Sequence, residues 1–390
     1  MTAPAQLPFR QDHPLRSPEQ LSSLQAEGPI HKGPHRGRRR GLAGHRVRPG
    51  APADGRREPG PHPSRPANAP RSRTSALFGG PIGDFDTELA DHSRMRQLLQ
   101  PHFSPGTCAS YNPRSKGSAP QCSTTWSGRA HRPTTCKPGA TASGTGDLRP
   151  ARVPYSDRDR FRIWVEAAAF SRTTPRRWTA WPPCWSTGWN SSPSNAPRPA
   201  DDVISRLCDE PDLTDLEVAT LGMQLLFAGH ETTVMQIWLQ SLLLLSHREQ
   251  WQALLASPDL IPKAVEELLR AGMPGGIGVP GTPARTSTST ASRSGPVTSS
   301  CSTPDRPTTT RRPSPDPYRI DLARTGAAHV GFGYGLRYCV GAALARMELK
   351  TVFSQLIPRF PNMQLCADVS TVGTGFHSLS HGLVPLPVTW

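Results

Sequence analysis

Ten consecutive residues carry the strongest chemical signal in the chain: Phe332-Gly333-Tyr334-Gly335-Leu336-Arg337-Tyr338-Cys339-Val340-Gly341. The glycines permit a tight turn that brings backbone close to a flat ligand. Cys339 follows that turn, where an apolar-periodic helix begins, so the helix dipole is expected to favour its thiolate. A thiolate there can ligate a metal, and Gly341 leaves room beside it. Arg337, two residues earlier, can reach an anionic group on the same ligand. A lone cysteine after a Gly-rich loop is more often a buried structural one. Phe332, three glycines and Arg337 at these offsets reverse that reading.

Other residues suited to chemistry lie on helical text. Ala228-Gly229-His230-Glu231-Thr232-Thr233 interrupts a long apolar run, and a mid-helix hydroxyl such as Thr232 ordinarily bonds the carbonyl one turn back. Glu267 and Arg270 are one turn apart and can pair. His92 and Arg96 are four apart, hence on one helix face.

The elements that must position these groups are mostly helices. Thr214, with Asp215 and Glu217 after it, reads as an N-cap for a helix running through Leu216–Leu245. Periodicity resumes at His247–Leu255 and again over Ala264–Arg270, where Gly272 and Pro274 stop it. Helices are also expected at Asp91–Phe103, Pro154–Phe170 and Cys339–Phe360, with short strands near Leu383–Val388. The apolar run from Val218 to Leu245 holds His230 and Glu231 near its middle, which fits a buried helix of a soluble protein better than a membrane span.

The ten-residue loop resembles the haem-binding loop of the cytochrome P450 family, FGxGxxxCxG, at every fixed position. Further stretches resemble the same family in the right order. Ala228–Thr233 is similar to its oxygen-binding helix, Glu267-Leu268-Leu269-Arg270 to its ExxR motif, and Pro317-Tyr318-Arg319-Ile320 to the later PxRF-type element. His92 and Arg96 resemble its His-xxx-Arg pair. The resemblance implies a mainly α fold with small β-sheets, in one domain over 1–390. It implies a haem-thiolate monooxygenase that inserts one oxygen atom of O2 into a small organic substrate, by hydroxylation or epoxidation, in secondary metabolism. The cofactor would be heme b, with Cys339 the iron ligand. His92, Arg96 and Arg337 would meet its two carboxylates, and Ala228, Gly229, Phe332, Gly333 and Gly341 would also contact it. Ala228 and Gly229 would open a groove for dioxygen, and Glu231 and Thr232 would deliver protons. Glu267, Arg270 and Arg319 would form a buried structural cluster. Ferredoxin and ferredoxin reductase would supply two electrons from NAD(P)H. The protein is expected to be cytoplasmic and monomeric, with no nucleic-acid or membrane partner.

Composition complicates this picture. The 390 residues include 44 Pro and 34 Gly, only 35% are apolar, and the formal charge is +15. Four stretches, 32–73, 106–150, 171–200 and 272–315, together carry +23, leaving −8 for the rest. Five of the eight cysteines (Cys108, Cys122, Cys136, Cys184 and Cys301) lie in these stretches, and neither a zinc spacing nor a disulfide framework is evident. The family pattern is in register over about 1–33, 66–105, 152–170, 199–271 and 316–390. A shifted reading frame accounts for the intervals. With GC-rich codons, Cys122–Pro138 read from the third base of the Cys122 codon gives LDDLVGPGPPADHLQA. Arg285–Thr309 treated likewise gives DVDVDGVPVRAGDVVVLDTGPANHD, a family-like strand pair. These four stretches are expected to be mostly coil with little burial, because they hold too little apolar surface to offset the entropy of ordering. Two rival readings follow: an inactive frameshifted pseudogene product, and a basic nucleic-acid-binding or disordered protein. Arg36–Arg40 favours the second superficially, but the basic runs lack interleaved aromatics.

Overall fold

Thr214 opens the longest helix of the protein with a complete capping box. In the computed structural model its hydroxyl accepts the Glu217 amide hydrogen at 3.3 Å, while the Glu217 carboxylate accepts the Thr214 amide hydrogen at 2.9 Å. The structure describes residues 13–15, 19, 23, 30–34, 40–44, 86–110, 134–136, 203–272, 280–281, 287–288, 293–294, 300–302, 319–324, 329, 331–333, 335–372 and 386–390. Its helices, in chain order, are α1 (Glu88–Leu99), α2 (Pro105–Ser110), α3 (Val203–Cys208), α4 (Asp215–Ser246), α5 (Arg248–Ala256), α6 (Ile261–Ala271) and α7 (Ala342–Arg359). At about 1.5 Å per residue, the 32 residues of α4 reach about 48 Å, long enough to pass through the molecule. Among the described residues, no helix is long and apolar enough to cross a membrane.

The main core forms where the C-terminal half of α4 meets α5, α6 and α7. Leu242 and Leu244 of α4, Trp251 of α5, Leu268 of α6 and Phe353 of α7 are all buried there. A second cluster joins α1, α3 and the start of α4 through Leu99, Ile204, Leu207 and Val218, with Val340 and Leu344 packed against it. The two clusters flank the segment that carries Cys339.

Strands are short. β1 (Ile30–Pro34), β2 (Arg40–Gly44), β7 (Ser300–Ser302) and β4 (Pro280–Gly281) form one sheet in that order. β3 (Thr134–Cys136), β9 (Leu386–Thr389) and β8 (Gln364–Leu365) form a second, in which Leu386 and Val388 turn to the main core. β5 (Ser287–Thr288) and β6 (Arg293–Ser294) pair by themselves.

Several sequence expectations shift in detail. The helix expected over Asp91–Phe103 is α1 followed by a 3-10 turn, Gln100–Phe103. Pro101 has no amide hydrogen to continue the ladder. The helix expected from Cys339 starts instead at Ala342, with Gly341 as its N-cap, and the Cys339 amide, which no intrahelical carbonyl would reach there, donates to the Phe332 carbonyl at 2.8 Å. α2 enters the stretch expected to be coil from 106, and it buries Cys108 to 2% exposure, so packed structure continues past that boundary. Short strands also occur inside 32–73, 106–150 and 272–315. The remainder of these stretches, all of 171–200 and the helix expected at Pro154–Phe170 lie outside the described residues.

The capping box gives a pH-dependent expectation. Hydrogen bonds from the Thr214 backbone, then from its hydroxyl and from Arg94, hold Glu217 down at about 2. An unfolded Glu titrates near ~4.3. The folded pKa is the lower one, so the stabilisation is complete above the unfolded value and is lost as pH falls toward about 2. Glu217→Gln should therefore flatten that part of the acid limb in a plot of melting temperature against pH. An unchanged slope would mean that the box contributes nothing.

Candidate active site

The Cys339 loop is built on two left-handed glycines. Gly333 has φ 77° and Gly335 φ 72°, a region that residues with a side chain rarely adopt. The turn closes through Cys339 N–H to the Phe332 carbonyl at 2.8 Å and Tyr338 N–H to the Gly335 carbonyl at 3.1 Å. Gly333, Gly335, Leu336 and Cys339 are exposed along it, and Phe332 and Arg337 are half-buried. A Cβ on Gly341, the N-cap of α7, would stand 4.0 Å from the Cys339 sulfur, in ordinary van der Waals contact with it.

Although residue 339 is exposed, the protein around its thiol desolvates it and pushes its pKa up, against the Gly341 amide, Arg96 and Arg346, which pull it down. The sulfur sits three residues ahead of α7, close to the amide of its N-cap, Gly341. A coordinating metal ion deprotonates a thiol outright, which removes the need for a lowered pKa.

α1 brings Arg96 to this loop, where one guanidinium nitrogen donates to the Tyr338 carbonyl, adjacent to Cys339. His92, half-buried, lies one turn back on the same helix. On α4, Ala228, Gly229 and Thr232 are exposed, and nothing stands within 4 Å of a Cβ built on Gly229. The Thr232 hydroxyl donates to the Ala228 carbonyl at 2.6 Å, the ordinary mid-helix bond. The Glu231 side chain lies outside the described residues. Thr233, next along, is buried and donates to Glu348 of α7 at 3.3 Å, a link between helices that sequence spacing does not reveal.

Behind the loop, α6 holds the Glu-Arg pair. The Arg270 Nε and a terminal nitrogen donate to the two Glu267 oxygens at 2.5 and 2.6 Å, with both side chains buried. The second arginine on Glu267 is Arg324, at 3.1 Å, and not Arg319. Arg319 is exposed and contributes its carbonyl, which accepts from Arg270 at 3.2 Å and from Arg324 at 2.9 Å. With its carbonyl turned into the cluster, its side chain points out, and the turn over 321–324 returns Arg324 to Glu267.

A family profile described as Cytochrome P450 matches residues 304–371. Among curated relatives, the Mycinamicin IV hydroxylase/epoxidase of Micromonospora griseorubida is 30% identical over 357 residues, 86% of each chain. The chain belongs to the cytochrome P450 family. Pentalenolactone synthase of Streptomyces exfoliatus is 29% identical over 354 residues, covering 85% of this P450 and 84% of the relative. Nocardicin C N-oxygenase of Nocardia uniformis subsp. tsuyamanensis is 38% identical over half of each chain. The solved structure of substrate-free P450 PimD, a polyene macrolide antibiotic pimaricin epoxidase, shares the fold at TM-score 0.80 with full coverage of both chains and 24% identity. The LnmA P450 hydroxylase from the leinamycin pathway of Streptomyces atroolivaceus matches at TM-score 0.75 and 26% identity, over 99% of this chain and 100% of that one.

This P450 is therefore a monooxygenase with a haem cofactor. Its donor set fits that group. Among the described residues, no cluster of three His, Cys, Asp or Glu could hold a bare metal ion. A single exposed sulfur on a glycine turn suits an iron whose other ligands arrive with it in a macrocycle.

Proposed function

We propose that Cys339 would supply the thiolate that holds the iron of heme b, and that the P450 oxidises a secondary metabolite by hydroxylation or epoxidation. The observation that carries this reading is the exposed Cys339 sulfur on its left-handed glycine turn, with Arg96 bonded to the neighbouring carbonyl. Haem, when bound, supplies dioxygen activation and O–O cleavage. His92, Arg96 and Arg337 bind its propionates, Phe332, Gly333 and Gly341 shape the cysteine side, and Ala228 and Gly229 face it from α4. Thr232, with Glu231, moves protons toward dioxygen. For that, the Thr232 hydroxyl must swing away from the Ala228 carbonyl it now bonds. Ferredoxin and its reductase deliver the electrons in the cytoplasm, and the whole of 1–390 acts as one domain. The hydroxylase and epoxidase relatives support the choice of reactions.

The test is turnover under isotopically labelled dioxygen, with ferredoxin, reductase and NAD(P)H. One labelled atom in the product is expected, and label from water alone would refute the reading. Thr232→Ala should retain haem yet release more peroxide per NAD(P)H oxidised. Unchanged coupling would leave Thr232 as a helix-bonding residue only. The frameshift reading bears on which chain should be made, and resequencing the gene separates an intact enzyme from a pseudogene product.

A further inference from the structure

Glu266, about 100° round α6 from the buried Glu267, collects a separate set of partners. Its carboxylate accepts Arg346 of α7 through two nitrogens, at 2.7 and 3.0 Å, and His329 Nε2 at 3.1 Å. The other ring nitrogen of His329, Nδ1, accepts the Gly331 amide hydrogen at 3.1 Å. A backbone amide can only donate, so Nδ1 carries the lone pair and Nε2 the hydrogen given to Glu266. These two contacts fix the orientation of the His329 ring between α6 and Gly331, which leads into the loop. Gly331 itself is pressed against α6, since a Cβ there would meet the Leu269 carbonyl at 3.3 Å and His329 Nδ1 at 3.0 Å.

Arg346 carries the connection to the other end of the loop. A terminal nitrogen donates to the Tyr338 hydroxyl at 3.1 Å, and the guanidinium carbon lies 4.5 Å from the centre of the Phe332 ring. The Phe332 and Tyr338 rings meet edge to face at 6.3 Å. These two residues frame Cys339: Phe332 accepts its amide hydrogen, and Tyr338 precedes it in the chain. Although desolvation pushes Glu266 upward, hydrogen bonds from His329 and Arg346 hold it at about 2, so it stays ionised for both partners.

We propose that Glu266 and Arg346 are positioning residues that clamp both ends of the Cys339 loop, through His329–Gly331 on one side and Phe332 and Tyr338 on the other, and so hold the sulfur where iron takes it. The proposal rests on the reading of Cys339 as the iron ligand. It differs from the Glu267 cluster, whose partners are Arg270, Arg324 and the Asp321 amide and none of these loop residues.

The full chain loaded with haem is reduced under carbon monoxide, and the Soret band is followed with time. Thiolate ligation gives the long-wavelength band, and its loss gives a shorter-wavelength one. Arg346→Ala and Glu266→Gln should speed that conversion by about tenfold or more, the scale on which supports of a metal ligand act. Arg346→Lys keeps charge but loses the fork and the stacking, so it should fall between. Tyr338→Phe removes a single contact, folds as the parent does, and should still convert faster; it decides the matter if Arg346→Ala does not fold. Conversion at the parental rate in both Glu266→Gln and Tyr338→Phe overturns the clamp alone. A parent chain that holds haem without ever showing the long-wavelength band, or that takes up no haem, overturns the reading of Cys339 and the clamp with it.

Discussion

Cys339→Ser is expected to erase the thiolate-type Soret band of the reduced carbon monoxide complex and to reduce turnover by several orders of magnitude, while the fold stays intact. The backbone role of residue 339 is its amide bond to the Phe332 carbonyl, which serine keeps. The side chain is exposed, so exchanging sulfur for oxygen leaves no core cavity. What is lost is a soft, ionisable donor. A serine hydroxyl does not deprotonate at neutral pH and donates less electron density to iron, and that density is what favours O–O cleavage. Cys208→Ser and Cys366→Ser serve as controls. Both cysteines are also exposed, but neither adjoins a left-handed glycine turn, and the band should persist in both variants. Circular dichroism of Cys339→Ser should match the parent. A long-wavelength band surviving in Cys339→Ser would remove the ligand assignment and the proposed function with it.

Some of this architecture was legible in the residues and some was not, for physical reasons. Thr214, Asp215 and Glu217 announced the start of α4 because a capping box is local: every partner lies within three residues. The loop at 332–341 was legible because left-handed turns demand glycine and so leave a mark in the sequence. His92 and Arg96 share a face by spacing, although only the structure shows Arg96 reaching Tyr338, 242 residues away. The Glu266–Arg346 pair spans 80 residues, and nothing at either position distinguishes it from a solvated surface charge. Its one signal is that Arg346 lies on α7 only seven residues after Cys339, a hint too common to act on. The expectation that Arg319 completes the cluster failed because backbone direction, which decides whether a carbonyl or a side chain faces the cluster, is not encoded by residue type. The start of α7 was placed three residues too early, because the apolar periodicity runs on through the turn at 339–341 that precedes the helix.

The buried cluster on α6 should give the largest loss of stability. Glu267 accepts from Arg270 through two nitrogens, from Arg324, and from the Asp321 amide at 3.0 Å. It is 4% exposed and Arg270 1%, so water cannot replace a missing partner for either. Removing one member of such a pair leaves an uncompensated charge in the interior, which costs about 3–5 kcal/mol. A whole domain is stable by only about 5–15 kcal/mol. Glu267→Ala strands the Arg270 guanidinium, the Asp321 amide and part of Arg324, so it should cost about 5 kcal/mol or more and leave little folded protein. Arg270→Met leaves Glu267 with Arg324 and the amide, so it should cost less. Arg324→Ala should cost less again, because that side chain is partly exposed and Glu267 keeps its fork with Arg270. Arg319→Ala should be nearly neutral, since the cluster uses only its carbonyl. Urea unfolding of the four variants tests this order. An Arg319→Ala variant as unstable as Arg324→Ala would mean that the Arg319 side chain turns into the cluster in solution, and the assignment of Arg324 would fall.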